Sequence, residues 1–228
     1  MSGTRSRGAG NPGTEGLSEL SPERIRLIVI TDRNLAGARG VLDTVSEALE
    51  GGAPCVQLRD KGRSVRESLP LARALREETN RVGALFFVND RLDLALAVEA
   101  DGVHLGPDDL SLDAVARILP PGFLLGYSTD DPEDAARAQA QGASYIGCGT
   151  VFPTASKPNA GEVIGLEGLR RVVQAVDIPV VGIGGVHSGR APQVARSGAA
   201  GAAVIGAVMG AADPARSVRD LLRAWEGD

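Results

Sequence analysis

The chain has 228 residues, enough for one large α/β domain with a sizeable buried core or for two small domains. Its 24 Lys and Arg against 29 Asp and Glu give a net charge of −5, which leaves a general nucleic-acid or membrane-surface role without an electrostatic footprint. The 30 glycines and 43% apolar content favour a compact globule with many tight turns, in which local positive charge must serve something small and anionic.

Residues 1–23 are rich in Gly, Ser, Arg and Pro and hold no apolar stretch of signal-peptide length. They are expected to be a disordered extension ahead of one catalytic domain at 24–228, in a cytoplasmic protein. Two early arginines keep organelle targeting open, although no amphipathic pattern accompanies them. From residue 27 a short apolar run, a polar or glycine-containing turn and a helical stretch recur. The runs fall at 27–30, 55–58, 85–88, 102–105, 124–127, 145–148, 180–183 and 202–205. Helical patterning occupies 41–50, 65–82, 92–99, 112–119, 131–141, 166–176, 191–197 and 215–225.

Small-residue turns close several helices just before the next run, as at Gly52-Ala53, Ala100-Asp101-Gly102, Gly142-Ala143 and Gly198-Ala199, where glycine suits a left-handed cap. Recurrence of one hinge at similar spacing reads as an internal repeat. Continuous rather than alternating apolar strands imply parallel strands covered on both faces, and eight such units predict a single (β/α)8 TIM barrel. An open doubly wound sheet is the alternative, but the first run leads into Thr31-Asp32-Arg33-Asn34 and not into a glycine-rich dinucleotide turn. Cys55 and Cys148 lie inside predicted strands, outside any metal or redox spacing, and read as buried thiols of a reducing compartment.

In such a barrel the residues after each strand form one ring around the mouth. Alternation sends Gln57, Arg59 and Lys61 to one side of the second strand and Leu58 and Asp60 to the other. The ring continues with Asn89 and Asp90, Asp109, Ser128, then Thr154, Ser156 and Lys157 in a long loop, Gly184-Gly185, and Gly206. Arg and Lys suit phosphate oxygens. Asp90 and Asp109 stand on neighbouring strands, the usual construction of a Mg²⁺ site completed by water and substrate phosphate. Each also has a simpler reading, Asp90 as the N-cap of the helix at Leu92 and Asp109 or Ser111 as the start of the next one. Lys157 could equally be a solvated loop lysine. The late glycines fall where barrels bind phosphate through backbone N–H groups. Together these features suggest a monophosphate at strands seven and eight and a Mg-pyrophosphate across the ring.

His104 and His187 are the two histidines, the first read as a wall residue in a strand and the second as solvated or capping. No histidine triad or zinc cluster can be assembled from two histidines and two cysteines. Residues 149–165, with their Pro and Gly content, form a candidate lid.

With these pieces in order, the chain resembles the thiamine-phosphate synthase family over about residues 27–222. The resemblance rests on Ile30-Thr31-Asp32, Gln57-Leu58-Arg59-Asp60-Lys61, Val88-Asn89-Asp90-Arg91, Asp101-Gly102-Val103-His104-Leu105-Gly106, Phe152-Pro153-Thr154-Ala155-Ser156-Lys157 and Gly182-Ile183-Gly184-Gly185. It implies joining of hydroxymethylpyrimidine diphosphate to thiazole phosphate, with release of pyrophosphate. Arg59, Lys61, Asn89 and Lys157 would hold the diphosphate, and Asp90 and Asp109 would bind Mg²⁺. Gln57 and Ser128 would contact the pyrimidine, Thr154 and Ser156 the thiazole phosphate region, and the amides around Gly185, Ile205 and Gly206 its phosphate. Arg59, Lys61, Ser128 and Lys157 are assigned catalytic roles, and assembly into a homo-oligomer stays open.

Three positions depart from the family pattern. Pro107 stands where an amide is usual, Asp130 where a histidine is common, and Gly206 where a serine is frequent. The sister family of thiazole tautomerases is the nearest rival, and a catalytically idle phosphate-binding regulator is another. Retention of Asp90 and Asp109, with Asp130 in place of the histidine, favours the synthase.

Overall fold

The computed structural model describes residues 20–154 and 162–227. Eight parallel strands pair in sequence order and close, the last against the first, into a barrel. They are β1 (Leu27–Ile30), β2 (Cys55–Leu58), β3 (Leu85–Asn89), β4 (Gly102–Leu105), β5 (Leu124–Ser128), β6 (Tyr145–Cys148), β7 (Val180–Ile183) and β8 (Gly201–Val204). Around them run α1 (Arg33–Ala36), α2 (Val41–Glu50), α3 (Val65–Val82), α4 (Leu92–Ala97), α5 (Leu112–Ala116), α6 (Pro132–Ala140), α7 (Gly165–Ala175), α8 (Ala191–Ala195), α9 (Gly206–Met209) and α10 (Pro214–Glu226). The open-sheet alternative is thereby excluded.

All eight predicted strands are present, with small shifts at their ends. β3 and β5 each run one residue further than the apolar pattern, because Asn89 and Ser128 keep ladder partners in His104 and Gly147. Single helical turns α1 and α9 fill the mouth after β1 and β8, where no helical period is visible in so few residues. Asp32 makes the first of them by accepting from the N–H groups of Asn34 and Leu35 at 3.0 and 3.1 Å. α5 stops at Ala116, short of the predicted 119, ahead of Pro120 and Pro121, which disfavour helical backbone before them.

A 3-10 turn over Pro22–Ile25 precedes β1 and buries Ile25 completely at the closed end of the barrel. Gly201 opens β8 there because a Cβ would collide with the Ile25 carbonyl oxygen. The interior is apolar at that end and becomes polar toward the mouth through Gln57, His104 and Thr150. Cys55 and Cys148 are buried free thiols, and burial pushes the Cys148 thiol up to about 12, far from reactivity. Among the described residues no helix is long and apolar enough to cross a membrane.

Candidate functional site

The end of β2 is locked before any ligand arrives. Thr31 Oγ1 accepts from the Arg59 N–H at 2.9 Å and donates to the Arg59 carbonyl at 3.1 Å, stitching β1 to β2 beyond their last ladder pair. The Asp32 carboxylate that caps α1 also lies 3.6 Å from the Arg59 guanidinium. Arg59 is therefore aimed by a group that is itself fixed. Gln57, 3% exposed, points into the barrel, and Lys61 extends to the surface with its ammonium 3.3 Å from Asp90.

Asp60 faces the other way, as alternation requires. It takes a two-pronged bond from Arg33 at 2.6 and 2.8 Å and one from the Ser68 hydroxyl at 2.7 Å, tying β2 to α1 and α3. The Arg33 guanidinium holds its carboxyl below the usual aspartate value, and Ser68 adds to that against burial.

Asp90 occupies left-handed backbone, with φ 63°, a conformation in which Asp is tolerated but uncommon. Neither metal candidate is a helix cap. α4 begins after Arg91 and α5 after Ser111, each without a side-chain cap bond. Asp109 instead accepts from the Gly106 N–H at 2.7 Å, closing its own loop so that it faces Asp90. Burial raises the Asp109 carboxyl above its usual value; the Gly106 bond opposes this, and repulsion from Asp90 adds to it. Two carboxylates driven against each other favour a shared proton or a cation between them. Among the described residues no group of three or more His, Cys, Asp or Glu side chains is placed to hold a metal. Two carboxylates with room for water and phosphate match the habit of Mg²⁺ rather than that of a metal held entirely by protein.

The opposite side of the mouth is built from turns. Gly184 and Gly185 have φ of 102° and 62°, and a Cβ on either would collide with Thr150 or with Pro153. Arg190 donates to the Gly185 carbonyl at 2.9 Å while its guanidinium lies 4.7 Å above the Phe152 ring. A cavity of about 730 Å³ opens between β5 and β8, lined by Ser128, Thr150, Thr154, Gly185, Arg190 and Gly206 among others. Pro107 and Asp130 stand at its rim. A separate cavity of about 230 Å³ adjoins Lys61, Asn89 and Asp90. Its other lining residues include Leu58, Asp60, Ser68 and Leu94, so it lies behind the ends of β2 and β3, against α3 and α4.

Inside, the two walls are joined by a polar row that sequence reading did not find. His104 Nδ1 meets the Tyr145 phenol at 2.8 Å, and Nε2 meets Ser128 Oγ at 2.7 Å. His104 is a wall residue, as expected, but one bonded to a candidate site residue. His187 is exposed and its Nδ1 accepts from the Gly189 N–H at 3.2 Å, a local turn contact. Ser156 and Lys157 lie outside the described residues, as does much of the candidate lid. Its base is tied where the Ile164 N–H donates to the Thr150 carbonyl at 2.9 Å.

Comparison with known proteins converges on one group. A family model described as thiamine monophosphate synthase matches residues 27–208. A thiamine-phosphate synthase of Moorella thermoacetica is 49% identical over 195 residues, covering 86% of this chain and 93% of that one. One from Pyrococcus furiosus is 46% identical over 203 residues, covering 89% and 96%. The solved structure of a thiamine phosphate pyrophosphorylase from Pyrococcus furiosus superposes with a TM-score of 0.82 at 45% identity, over 90% of this chain and 98% of that one.

Proposed function

The chain belongs to the thiamine monophosphate synthase family and is a transferase of thiamine biosynthesis; we propose that its barrel mouth joins hydroxymethylpyrimidine diphosphate to thiazole phosphate, forming thiamine phosphate and pyrophosphate. The observation that carries this reading is the group on three neighbouring strand ends, where Lys61 stands 3.3 Å from Asp90 and Asp109 faces the same carboxylate. Across the mouth, the Gly184-Gly185 turn and Arg190 line the larger cavity.

In this reading Arg59, Lys61, Asn89 and Lys157 hold the diphosphate, and Asp90 and Asp109 hold Mg²⁺. When bound, the ion would neutralise charge on the leaving diphosphate. The C–O bond to diphosphate breaks first, leaving a pyrimidine methylene cation stabilised by its amino group. The thiazole nitrogen then forms the new C–N bond. That nitrogen carries no proton, so no general base is needed, and the residues act through position and electrostatics. Gln57 and Ser128 orient the pyrimidine. Thr154, Ser156 and the amides around Gly185, Ile205 and Gly206 receive the thiazole phosphate. Gly206 offers only its backbone where a serine is frequent in the family.

The test is turnover of both substrates by the purified protein, measured as thiamine phosphate with and without Mg²⁺. Product only with the ion is expected. A preparation that forms none with both substrates and Mg²⁺ present would overturn the assignment.

A further inference from the structure

The turn after β7 is held from two sides, and one of its holders is a cation. β6 and β7 go on pairing beyond their last residues, where the Val151 N–H donates to the Ile183 carbonyl at 2.8 Å and the Phe152 N–H to the Gly184 carbonyl at 3.1 Å. Phe152 and Pro153 are thereby laid against the turn. A Cβ on Gly185 would collide with the Phe152 Cβ and the Pro153 carbonyl, so glycine alone lets the two segments come this close. The next peptide is fixed by Arg190, whose guanidinium donates to the Gly185 carbonyl at 2.9 Å and lies 4.7 Å above the Phe152 ring.

Both partners of that guanidinium are uncharged. A carbonyl and a ring face orient the cation without neutralising it, and Arg190 forms an ion pair with none of the described carboxylates. The carbonyl takes one N–H of a group that has further donors to offer. Arg190 is half-buried and lines the cavity of about 730 Å³, the one Lys or Arg among the described residues to do so. The acids of that lining, Asp130 and Asp134, stand on its β5 side, and Asp134 has its own cation in Arg137 at 2.9 Å. The cavity is thus positive at the β7 turn and negative at its β5 side, a field that brings the anionic end of a ligand to Arg190.

We infer that Arg190 is a specificity-determining residue, which holds the phosphate monoester end of the thiazole ligand and discriminates against the same thiazole as its uncharged alcohol. The ligand named here rests on the function proposed above; the fixed, uncompensated cation does not. Phosphate suits the arrangement, since a planar fork with donors left over can give paired bonds to neighbouring oxygens. An arginine already held in place also loses less side-chain freedom when the anion arrives. A mere brace on the turn would need no charge, and it would support either thiazole equally.

Isothermal titration of thiazole phosphate and of the unphosphorylated thiazole alcohol into the parent, Arg190→Gln and Arg190→Lys separates these cases. In Arg190→Gln the preference for the phosphate should fall roughly ten- to a hundredfold, the range for a hydrogen bond to a charged group, with the alcohol bound as by the parent. Arg190→Lys keeps the charge without the fork and should retain part of the preference. Equal losses for both thiazoles in Arg190→Gln would make Arg190 a brace only, and a Lys variant no better than the Gln variant would show that charge is not what selects. Either result overturns the inference, as does an unchanged preference in Arg190→Gln. If the parent binds neither thiazole, the assigned substrate fails, and titration with inorganic phosphate still decides the arginine. Binding by the parent that Arg190→Gln loses sustains the anion site; binding that survives in Arg190→Gln, or none by the parent, refutes it.

Discussion

Asp90 shows what a single residue is asked to do at this mouth. It sits at φ 63°, beside one cation and opposite a second carboxylate, and it caps no helix. Such a conformation costs on the order of 1–3 kcal/mol; it belongs to the tight turn out of β3, closed by the Arg91 N–H on the Asn89 carbonyl at 2.7 Å, which directs that carboxylate. Asp90→Ala or Asp109→Ala should therefore lower turnover by roughly a hundredfold or more in steady-state assays at saturating Mg²⁺. Near-normal rates in both variants would show that the pair holds no catalytic ion. Asp60, the residue before Lys61 in the same motif, has a different task. Its carboxyl, 6% exposed, is held below the usual aspartate value by Arg33. A lowered native value means stabilisation that is complete above the ordinary aspartate range and disappears as pH falls through the native value. Thermal melts should show Asp60→Asn less stable than the parent by about 2 kcal/mol at neutral pH. The gap should narrow in acid, and a constant gap from pH 7 to pH 3 would contradict the pairing.

At the scale of elements, the barrel depends on which strand positions lack a side chain. Gly126 lies between His104 and Tyr145 with both rings inside the space a Cβ would need. Gly126→Ala should cost about 1–3 kcal/mol in chemical denaturation, as overpacking of a filled interior does. It should also part the histidine from the phenol, and an unchanged midpoint would show that the row can spread freely. The eight strands were legible because parallel buried strands write themselves as apolar runs. Asp90 and Asp109 were legible as a pair because barrel order brings consecutive strand ends together. Tyr145 was not, since it opens a run, Tyr145 to Cys148, whose apolar character masks an inward hydroxyl; alternation opposite Gly126 was the signal that could have exposed it. Arg190 was hidden for another reason. It precedes α8 in a loop, and nothing in local pattern tells whether a loop cation reaches back to a turn carbonyl five residues earlier. Thr31 and Asp32 were legible as part of the family resemblance and as the absence of a dinucleotide turn, but their role was not, because their bonds to Arg59 cross 28 residues or nearly as many of chain.

The whole molecule divides its labour along the barrel axis and again across the mouth. At one end Ile25 plugs the aliphatic interior; at the other the strand ends carry the polar groups, the usual separation of stability from chemistry in this fold. Across the mouth Lys61, Asp90 and Asp109 gather at the ends of β2 to β4, whereas Arg190 and the β7 turn border the cavity of about 730 Å³. In the proposed function, two anionic groups held at separate places, each by its own cation, would let the reacting carbon and nitrogen meet between them without bringing the phosphates together. A divided site makes reciprocal predictions. Lys61→Ala should weaken the pyrimidine diphosphate roughly tenfold or more and leave thiazole phosphate nearly unaffected, since one charge-assisted bond is at stake. Arg190→Ala should do the reverse, because it removes both a cavity-lining charge and the brace on the Gly185 carbonyl. Isothermal titration of each variant with each substrate separates the cases. Equal losses for both ligands in both variants would mean that the mouth is one undivided anion site, and that the cations on opposite walls act only through their summed field.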